Sequence, residues 1–134
     1  MPGAFLDTNI LVYAFTTDAR AGPAQGLLGR GCLTSVQALN EFAHVGRRKL
    51  GMTWREVHDA IAAIRTLCQA ILPVDLDTHA DGLRIAERYR YAIFDALIIA
   101  AALRARCTVL YSEDMQGGMA IDARLRIIDP FHGA

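Results

Sequence analysis

The sequence is poor in lysine, has no excess of either charge and has no long apolar run. Lys49 is the only lysine, and the 14 basic residues are balanced by 14 acidic ones. A balanced chain has no overall field to attract nucleic acid. The longest apolar run is too short to cross a bilayer, and the N-terminal segment lacks the basic start of a signal peptide. These absences predict a cytoplasmic protein with no membrane partner.

The cysteine, histidine and glycine patterns exclude several kinds of site. The cysteines Cys32, Cys68 and Cys107 are odd in number and form no Cys-x-x-Cys pair. Neither a disulfide framework nor a zinc knuckle is therefore indicated, and buried reduced thiols are expected. No GxSxG, GxGxxG or GxxxxGK segment occurs, which excludes the common serine-hydrolase and nucleotide-binding motifs. No two histidines have the spacing of a metal site.

The chain does have a regular alternation of short apolar strands and amphipathic helices. With 53% hydrophobic residues, residues 1–134 are expected to form a single domain. Strands separated by helices predict an α/β fold, a three-layer α/β/α sandwich with a central, mostly parallel sheet. The strands are predicted in AFLDTN, in the stretch ending at Thr34, and in AILPV, TVLYS and LRIID.

Recognisable caps mark two of the helices. Ser35 and Thr53 are expected to cap them, and Gly51 to end the first. Their core faces are predicted to be Val36, Leu39, Phe42 and Ala43 on the first, and Val57, Ile61, Ile64 and Cys68 on the second. The segments ILVYAF and VHDAIAAI carry more apolar surface than so small a core needs, which predicts a homodimer interface or a partner groove.

Four acidic residues border apolar segments, in FLD, LNEF, IFDAL and LYSED. Asp7 and Asp114 follow predicted strands, and sites in parallel sheets form at the carboxyl ends of strands. Asp95 lies near a helix start, where free N–H groups favour an anion, and Glu41 borders its helix's apolar face. Singly, Asp7 or Asp95 could be a cap, Glu41 a solvated residue and Asp114 a turn residue. Taken together, the four acidic side chains could converge on one site from separate elements of the fold.

Four converging carboxylates need a counter-charge. Two like charges about 5 Å apart at an effective dielectric near 20 repel by roughly 3 kcal/mol, so either some protonate or a cation lies among them. Oxygen ligands without a histidine or thiol favour Mg²⁺ or Mn²⁺ over Zn²⁺. Such an ion lowers the pKa of a bound water and orients it for attack on a phosphodiester. Metal-dependent hydrolysis is therefore the leading enzyme class.

The chain as a whole resembles a PIN-domain ribonuclease, specifically the toxin of a VapBC-type toxin–antitoxin pair. The resemblance extends from about residue 4 to residue 131. It rests on five segments in the family's order and spacing: FLDTNILVYAF, TSVQALNEFAHV, YAIFDALIIAAAL, LYSEDMQGG and LRIIDPF.

The resemblance implies a catalytic cluster made of Asp7, Glu41, Asp95 and Asp114. Asp7, Asp95 and Asp114 are implied to bind the metal directly or through water, and Glu41 to complete the cluster or contact the attacking water. Three polar residues match the family's supporting positions: Thr8, Asn9 and Ser112. Ser112 is implied to help hold the last carboxylate, Asp114.

The resemblance also implies an RNA substrate, cleaved in single-stranded or looped regions, and a small antitoxin that inserts a segment into the acidic cleft. Gln116 occupies a position where some relatives have a further acidic residue, so the resemblance does not fix whether one or two metal ions bind. RNA binding by a neutral chain requires local basic residues. The candidates are Arg47, Arg48, Arg84 and Arg88, with Lys49 beside the first two at the end of the Glu41 helix. Their alternative role is a solvated face.

Three alternatives are weighed against the toxin hypothesis. A degenerate PIN fold could act only as a binding module, although such a module need not keep four repelling carboxylates. A housekeeping PIN nuclease would have no antitoxin. A haloacid-dehalogenase-like phosphatase would need two aspartates flanking one residue after the first strand, whereas Asp7 is followed by Thr8 and Asn9.

Overall fold

The elements alternate along the chain as the sequence predicts. The computed structural model describes residues 3–132, so the ends of the expected 1–134 domain, residues 1–2 and 133–134, lie outside the described part. The strands are β1 (Phe5–Leu6), β2 (Leu33–Ser35), β3 (Ala70–Leu72), β4 (Val109–Tyr111), β5 (Ala120–Ile121) and β6 (Leu125–Ile128). The helices are α1 (Thr8–Tyr13), α2 (Ala21–Leu28), α3 (Val36–Arg48), α4 (Trp54–Leu67), α5 (Leu76–Tyr89) and α6 (Ile93–Arg104).

The six strands form one sheet in the order β3-β2-β1-β4-β6-β5. All neighbours pair in parallel except β5, which is antiparallel to β6. The predicted three-layer α/β/α sandwich with a mostly parallel sheet is confirmed. From β1 the chain builds β2 and β3 on one side and later β4 on the other. Sheets of this kind bind ligands outside the carboxyl ends of the strands where the order reverses, which here are β1 and β4.

α6 is the central helix of the core. Every residue from 96 to 103 is buried, as expected for a helix that is apolar on all sides. α5 packs closely along α6 at Gly82, where an added Cβ would lie 2.8 Å from Leu97 Cδ2. The segment YAIFDALIIAAAL is thus a core helix with its single carboxylate in its first turn.

Several local predictions need correction. The core face of α3 was predicted to include Val36, but Val36 is 39% exposed and the buried residues of α3 are Ala38, Phe42 and Gly46. α3 also ends before Gly51, with Lys49 as its C-cap. Ser35 and Thr53 do cap their helices, and Thr53 forms a complete capping box with Glu56.

The predicted apolar surplus of two segments is mostly buried in the core. Ile10 and Leu11 of ILVYAF are fully buried, and Val57, Ala60 and Ile64 of VHDAIAAI are buried as well. These segments therefore mainly supply the core, and Phe15, which is 37% exposed, is the large side chain of ILVYAF that stays at the surface. Other large exposed apolar side chains include Trp54, Leu76, Leu83 and Phe94.

The thiols are free, and two of them meet. Cys32 and Cys107 are buried, whereas Cys68 is partly exposed. Although Cys32 and Cys68 are distant in sequence, their Sγ atoms lie 3.5 Å apart, because β2 and β3 are neighbours and each cysteine lies just before its strand. Within residues 3–132, every helix is too short or too polar to span a bilayer.

Candidate active site

The four predicted carboxylates line one cleft. It has a volume of about 370 Å³ and is lined by Asp7, Thr8, Asn9, Val12, Tyr13, Glu41, Val45, Lys49, Leu50, Asp95, Glu113 and Asp114. Asp7 follows β1, and Glu113 and Asp114 follow β4 after Ser112, so the cleft lies at the carboxyl edge where the strand order reverses. Each carboxylate comes from a different element or loop, as the sequence suggested.

Asp7 is the most deeply buried of the four, at 4% exposure. Its Oδ1 accepts a 2.7 Å hydrogen bond from the backbone N–H of Thr8, and its Oδ2 accepts a 2.7 Å bond from Ser112 Oγ. The side-chain amide of Asn9 donates to Oδ2 at 3.4 Å. Asp7 is therefore both the N-cap of α1 and a cleft residue, so the two readings of this residue do not exclude each other.

Burial raises the pKa of Asp7 from 3.8 to about 7. The hydrogen bonds from Ser112 and Thr8 favour the ionised form and lower the pKa, but the nearby charges of Asp95 and Glu41 raise it again. Asp95 lines the same cleft as Asp7. A carboxylate in this position needs either a proton or a cation.

Asp95 lies in the first turn of α6, but it does not cap the helix. Ala92 is the N-cap, with no side-chain capping bond, so the interpretation of Asp95 as a simple cap is wrong. Its pKa is raised by burial and by the charge of Asp114. α6 thus presents this carboxylate to the cleft while its remaining turns are fixed in the core.

Glu41 enters the cleft from the middle of α3. Gln37, one turn earlier on the helix, donates a 2.9 Å bond to Glu41 Oε2. Burial raises the pKa of Glu41, the bond from Gln37 lowers it, and the charge of Asp95 raises it further. Asp114 is the exposed member of the set. Asp95 is thus coupled to each of the other three, and the four act as one electrostatic cluster.

Ser112 holds the first carboxylate of the cluster and also shapes the turn that carries the last. Its hydroxyl donates to Asp7 and accepts from the backbone N–H of Met115 at 3.1 Å. The resemblance implied contact with the last carboxylate only. Asn9 bridges the same two loops, because its Oδ1 accepts from the N–H of Glu113 at 3.2 Å.

Thr8 has the only buried side-chain nitrogen or oxygen in residues 3–132 without a hydrogen-bond partner. Buried hydroxyls are almost always paired with protein or with bound water. An unpaired hydroxyl next to Asp7 is free to bond to a ligand or to the water that accompanies one.

Two polar residues of the cleft wall were not predicted: Tyr13 and Glu113. Tyr13 donates a 2.6 Å bond to Glu113 Oε1, and Arg20 contacts both, with Nη1 bonded to the Tyr13 hydroxyl and Nε 3.3 Å from Glu113 Oε2. No sequence signal separates these residues from ordinary surface residues. Lys49, named with the arginines at the end of the Glu41 helix, is the basic residue of that set that lines the cleft.

None of the four predicted RNA-binding arginines lines the cleft. Arg84 forms a paired contact with Asp122, with N–O distances of 3.2 and 2.8 Å. Arg47 donates to the carbonyl of Met52 and stacks over Trp54. Arg88 lies over the ring of Tyr89, and Arg48 is exposed at the end of α3.

The residues present fit a hard divalent cation. The four acidic side chains offer carboxylate oxygens as ligands. Within residues 3–132, no basic side chain lies within salt-bridge distance of Asp7, Glu41, Asp95 or Asp114. The predicted three-ligand set is not preformed, since no three acidic, cysteine or histidine side chains among the described residues enclose a single ion position. Mg²⁺ keeps several of its waters in proteins, so a site with few direct ligands suits it.

Solved structures share this architecture. VapC20 of Mycobacterium tuberculosis, a Sarcin-Ricin loop cleaving toxin, is 25% identical, with a TM-score of 0.69 over 84% of this chain and 90% of that one. The toxin–antitoxin complex from Klebsiella pneumoniae is 19% identical, with a TM-score of 0.74 over 96% of this chain and 98% of that one. FitAcB from Neisseria gonorrhoeae is 20% identical, with a TM-score of 0.71 over 96% and 99%.

Comparison with curated protein sequences gives no significant match. The model of the PIN domain family, however, matches residues 4–116, which include all four carboxylates and most of the described chain. The recognition of the family from its sequence segments is therefore confirmed, and the chain belongs to the PIN domain family.

Proposed function

We propose that this protein, as a single PIN domain of residues 1–134, is a magnesium-dependent endoribonuclease and the toxin of a type II toxin–antitoxin pair. One observation carries the proposal: four carboxylates from separate elements share a cleft, and no described basic side chain neutralises them. A cluster that repels itself destabilises the fold unless a cation binds there. VapC20, the relative at 25% identity, cleaves RNA at the Sarcin-Ricin loop.

In this proposal Asp7, Asp95 and Asp114 hold Mg²⁺ directly or through water, with Mn²⁺ as a substitute, and one or two ions bound. The ion supplies a water of lowered pKa and neutralises charge on the phosphate. Ser112, Asn9 and the Thr8 N–H fix the Asp7 carboxylate by hydrogen bonds. Glu41, which this proposal does not make an ion ligand and whose pKa is raised by burial, accepts a proton from the attacking water.

The test measures cleavage of single-stranded and hairpin RNA in the presence of Mg²⁺. We expect 5′-phosphate products, loss of activity with EDTA, and no activity in Asp95→Asn. The matched control is Asp59→Asn, because Asp59 is a well-exposed carboxylate on α4 that lines no part of the cleft. Undiminished cleavage by Asp95→Asn would remove the central claim.

Calorimetric titration with Mg²⁺ separates this function from that of a PIN-fold binding module, which would bind no metal. The toxin role, in the cytoplasm and opposed by a cognate antitoxin, draws on the Klebsiella pneumoniae neighbour, which was solved as a toxin–antitoxin complex. A small antitoxin-like reading frame beside the gene supports the toxin role, and its absence favours a housekeeping nuclease. Sedimentation of the purified protein tests the homodimer that we also propose.

A further inference from the structure

The cleft contains one cation, Lys49, among five carboxylates. The five carboxylates that line the cleft are Asp7, Glu41, Asp95, Glu113 and Asp114. Among the described residues, Lys49 is the one basic residue that lines it. Lys49 is also the only lysine of the protein. A nucleic-acid backbone that enters this cleft meets strong repulsion, so the one cation on its wall has a large effect on binding.

The ammonium group of Lys49 is not used within the fold. Among residues 3–132, no carboxylate lies within salt-bridge distance of it. Lys49 therefore does not serve to neutralise the acidic cluster. Favourable interaction with the carbonyl end of α3 is already provided by two other basic residues in its last turn, Arg47 and Arg48.

The position of Lys49 on α3 determines which part of a substrate it can reach. Glu41, Val45 and Lys49 are spaced four residues apart and line the same cleft, so they form one stripe of the helix. Eight residues correspond to about 12 Å along the axis. Lys49 is thus displaced from Glu41 by about two helical turns along the wall that this stripe contributes to the cleft.

We propose that Lys49 binds a non-bridging oxygen of a backbone phosphate that flanks the scissile one, and so positions the RNA strand in the cleft. A lysine ammonium is a compact point charge and a common phosphate ligand. The inference deepens the proposed ribonuclease function and rests on it. The contact is made in the ground state as well as in the transition state, so it acts on KM and leaves kcat nearly unchanged.

The first test compares Lys49→Gln, Lys49→Arg and Arg48→Gln. Arg48→Gln is the matched control, because it removes the same charge one residue away on a side chain that does not line the cleft. In RNA cleavage, Lys49→Gln should raise KM roughly 10-fold, the effect of losing one bond to a charged group, while Lys49→Arg and Arg48→Gln remain close to the parent.

The second test measures binding of a short single-stranded RNA by fluorescence anisotropy at several salt concentrations, in the Asp95→Asn background to keep the RNA intact. Loss of one phosphate contact should reduce the slope of log K against log salt by about 0.7. Lys49→Arg should retain the parent slope. Because Lys49 is the only lysine, protection of its amine from acylation by bound RNA can be read at one residue by mass spectrometry.

An unchanged slope and KM in Lys49→Gln, in a protein that binds and cleaves RNA, overturns the inference. Equal losses in Lys49→Gln and Arg48→Gln also overturn it, because they indicate a general field and no specific contact. RNA binding that depends on Lys49, without Mg²⁺-dependent cleavage by the parent protein, supports the contact and overturns the proposed nuclease function. Absence of both binding and cleavage overturns both.

Discussion

Replacing Asp7 by asparagine should make the metal-free protein more stable at neutral and alkaline pH. Burial raises the pKa of Asp7 from 3.8 to about 7 in the folded state. A rise of about three units, at about 1.4 kcal/mol for each unit, means that ionised Asp7 lowers the free energy of unfolding by about 4 kcal/mol. Asparagine has the same shape and carries no charge, so the variant escapes this cost.

The sign of the effect depends on pH. Below pH 3.8 the carboxyl group is protonated in the folded and the unfolded protein, and its shifted pKa contributes no loss of stability. As the pH rises from 3.8 to about 7, the unfolded chain releases its proton first, so stability is lost progressively and the loss is complete above pH 7. Asparagine has one acceptor oxygen, so it cannot accept both from the Thr8 N–H, as Asp7 Oδ1 does, and from Ser112, as Asp7 Oδ2 does, which costs about 1 to 1.5 kcal/mol.

The net expectation is a gain of about 2 to 3 kcal/mol for Asp7→Asn at pH 8, which disappears near pH 4. Urea unfolding followed by circular dichroism in EDTA at pH 4, 6 and 8 measures it, with Asp59→Asn as a control that should show no such pH dependence. Addition of Mg²⁺ should stabilise the parent protein and not the variant. A difference in stability that is independent of pH, or an Asp7→Asn protein that is less stable at pH 8, would refute the reasoning.

Two further substitutions test the surroundings of the cleft. Ser112→Ala removes a hydrogen bond that favours ionised Asp7, so it should raise the pKa of Asp7 further and reduce RNA cleavage. It should also lower the free energy of unfolding at pH 8 by about 1 to 3 kcal/mol. Urea unfolding at pH 8 and pH 4 should show this loss mainly at pH 8. Arg84→Gln removes an exposed ion pair with Asp122 and should cost less than about 1 kcal/mol, with no change in RNA affinity by fluorescence anisotropy, since Arg84 does not line the cleft.

The sequence predicts the architecture and the acidic cluster well because both depend on local patterns. Short apolar strands that alternate with capped helices specify the parallel sheet, and residues that follow such strands lie at its carboxyl edge. Asp7 and Asp114 follow from this rule alone. Glu41 and Asp95 lie on helices, and only the joint pattern with the other two separates them from a solvated residue and a cap.

The sequence predicts the basic residues around the cleft poorly, because their roles depend on contacts distant in the chain. Arg84 is paired with Asp122, 38 residues away, and its helical spacing from Arg88 does not reveal this. The Tyr13–Glu113 bond spans 100 residues and is equally hidden. β5 was missed because a strand of two residues, Ala120–Ile121, is too short to show an alternation.

The burial of α6 explains why the acidic cluster persists in an otherwise well-packed fold. Side chains from residue 96 to residue 103 contact the core on every side of the helix, so α6 cannot rotate to carry Asp95 away from Asp7 without opening the core. Asp7 is held equally firmly by Ser112 and by the start of α1. Since the backbone positions of both carboxylates are fixed, a proton or a cation is the main means of relieving their repulsion. The rigidity of the core is therefore what makes the cleft a strong candidate for metal binding, and every variant that loosens α6 should weaken the site as well as the fold.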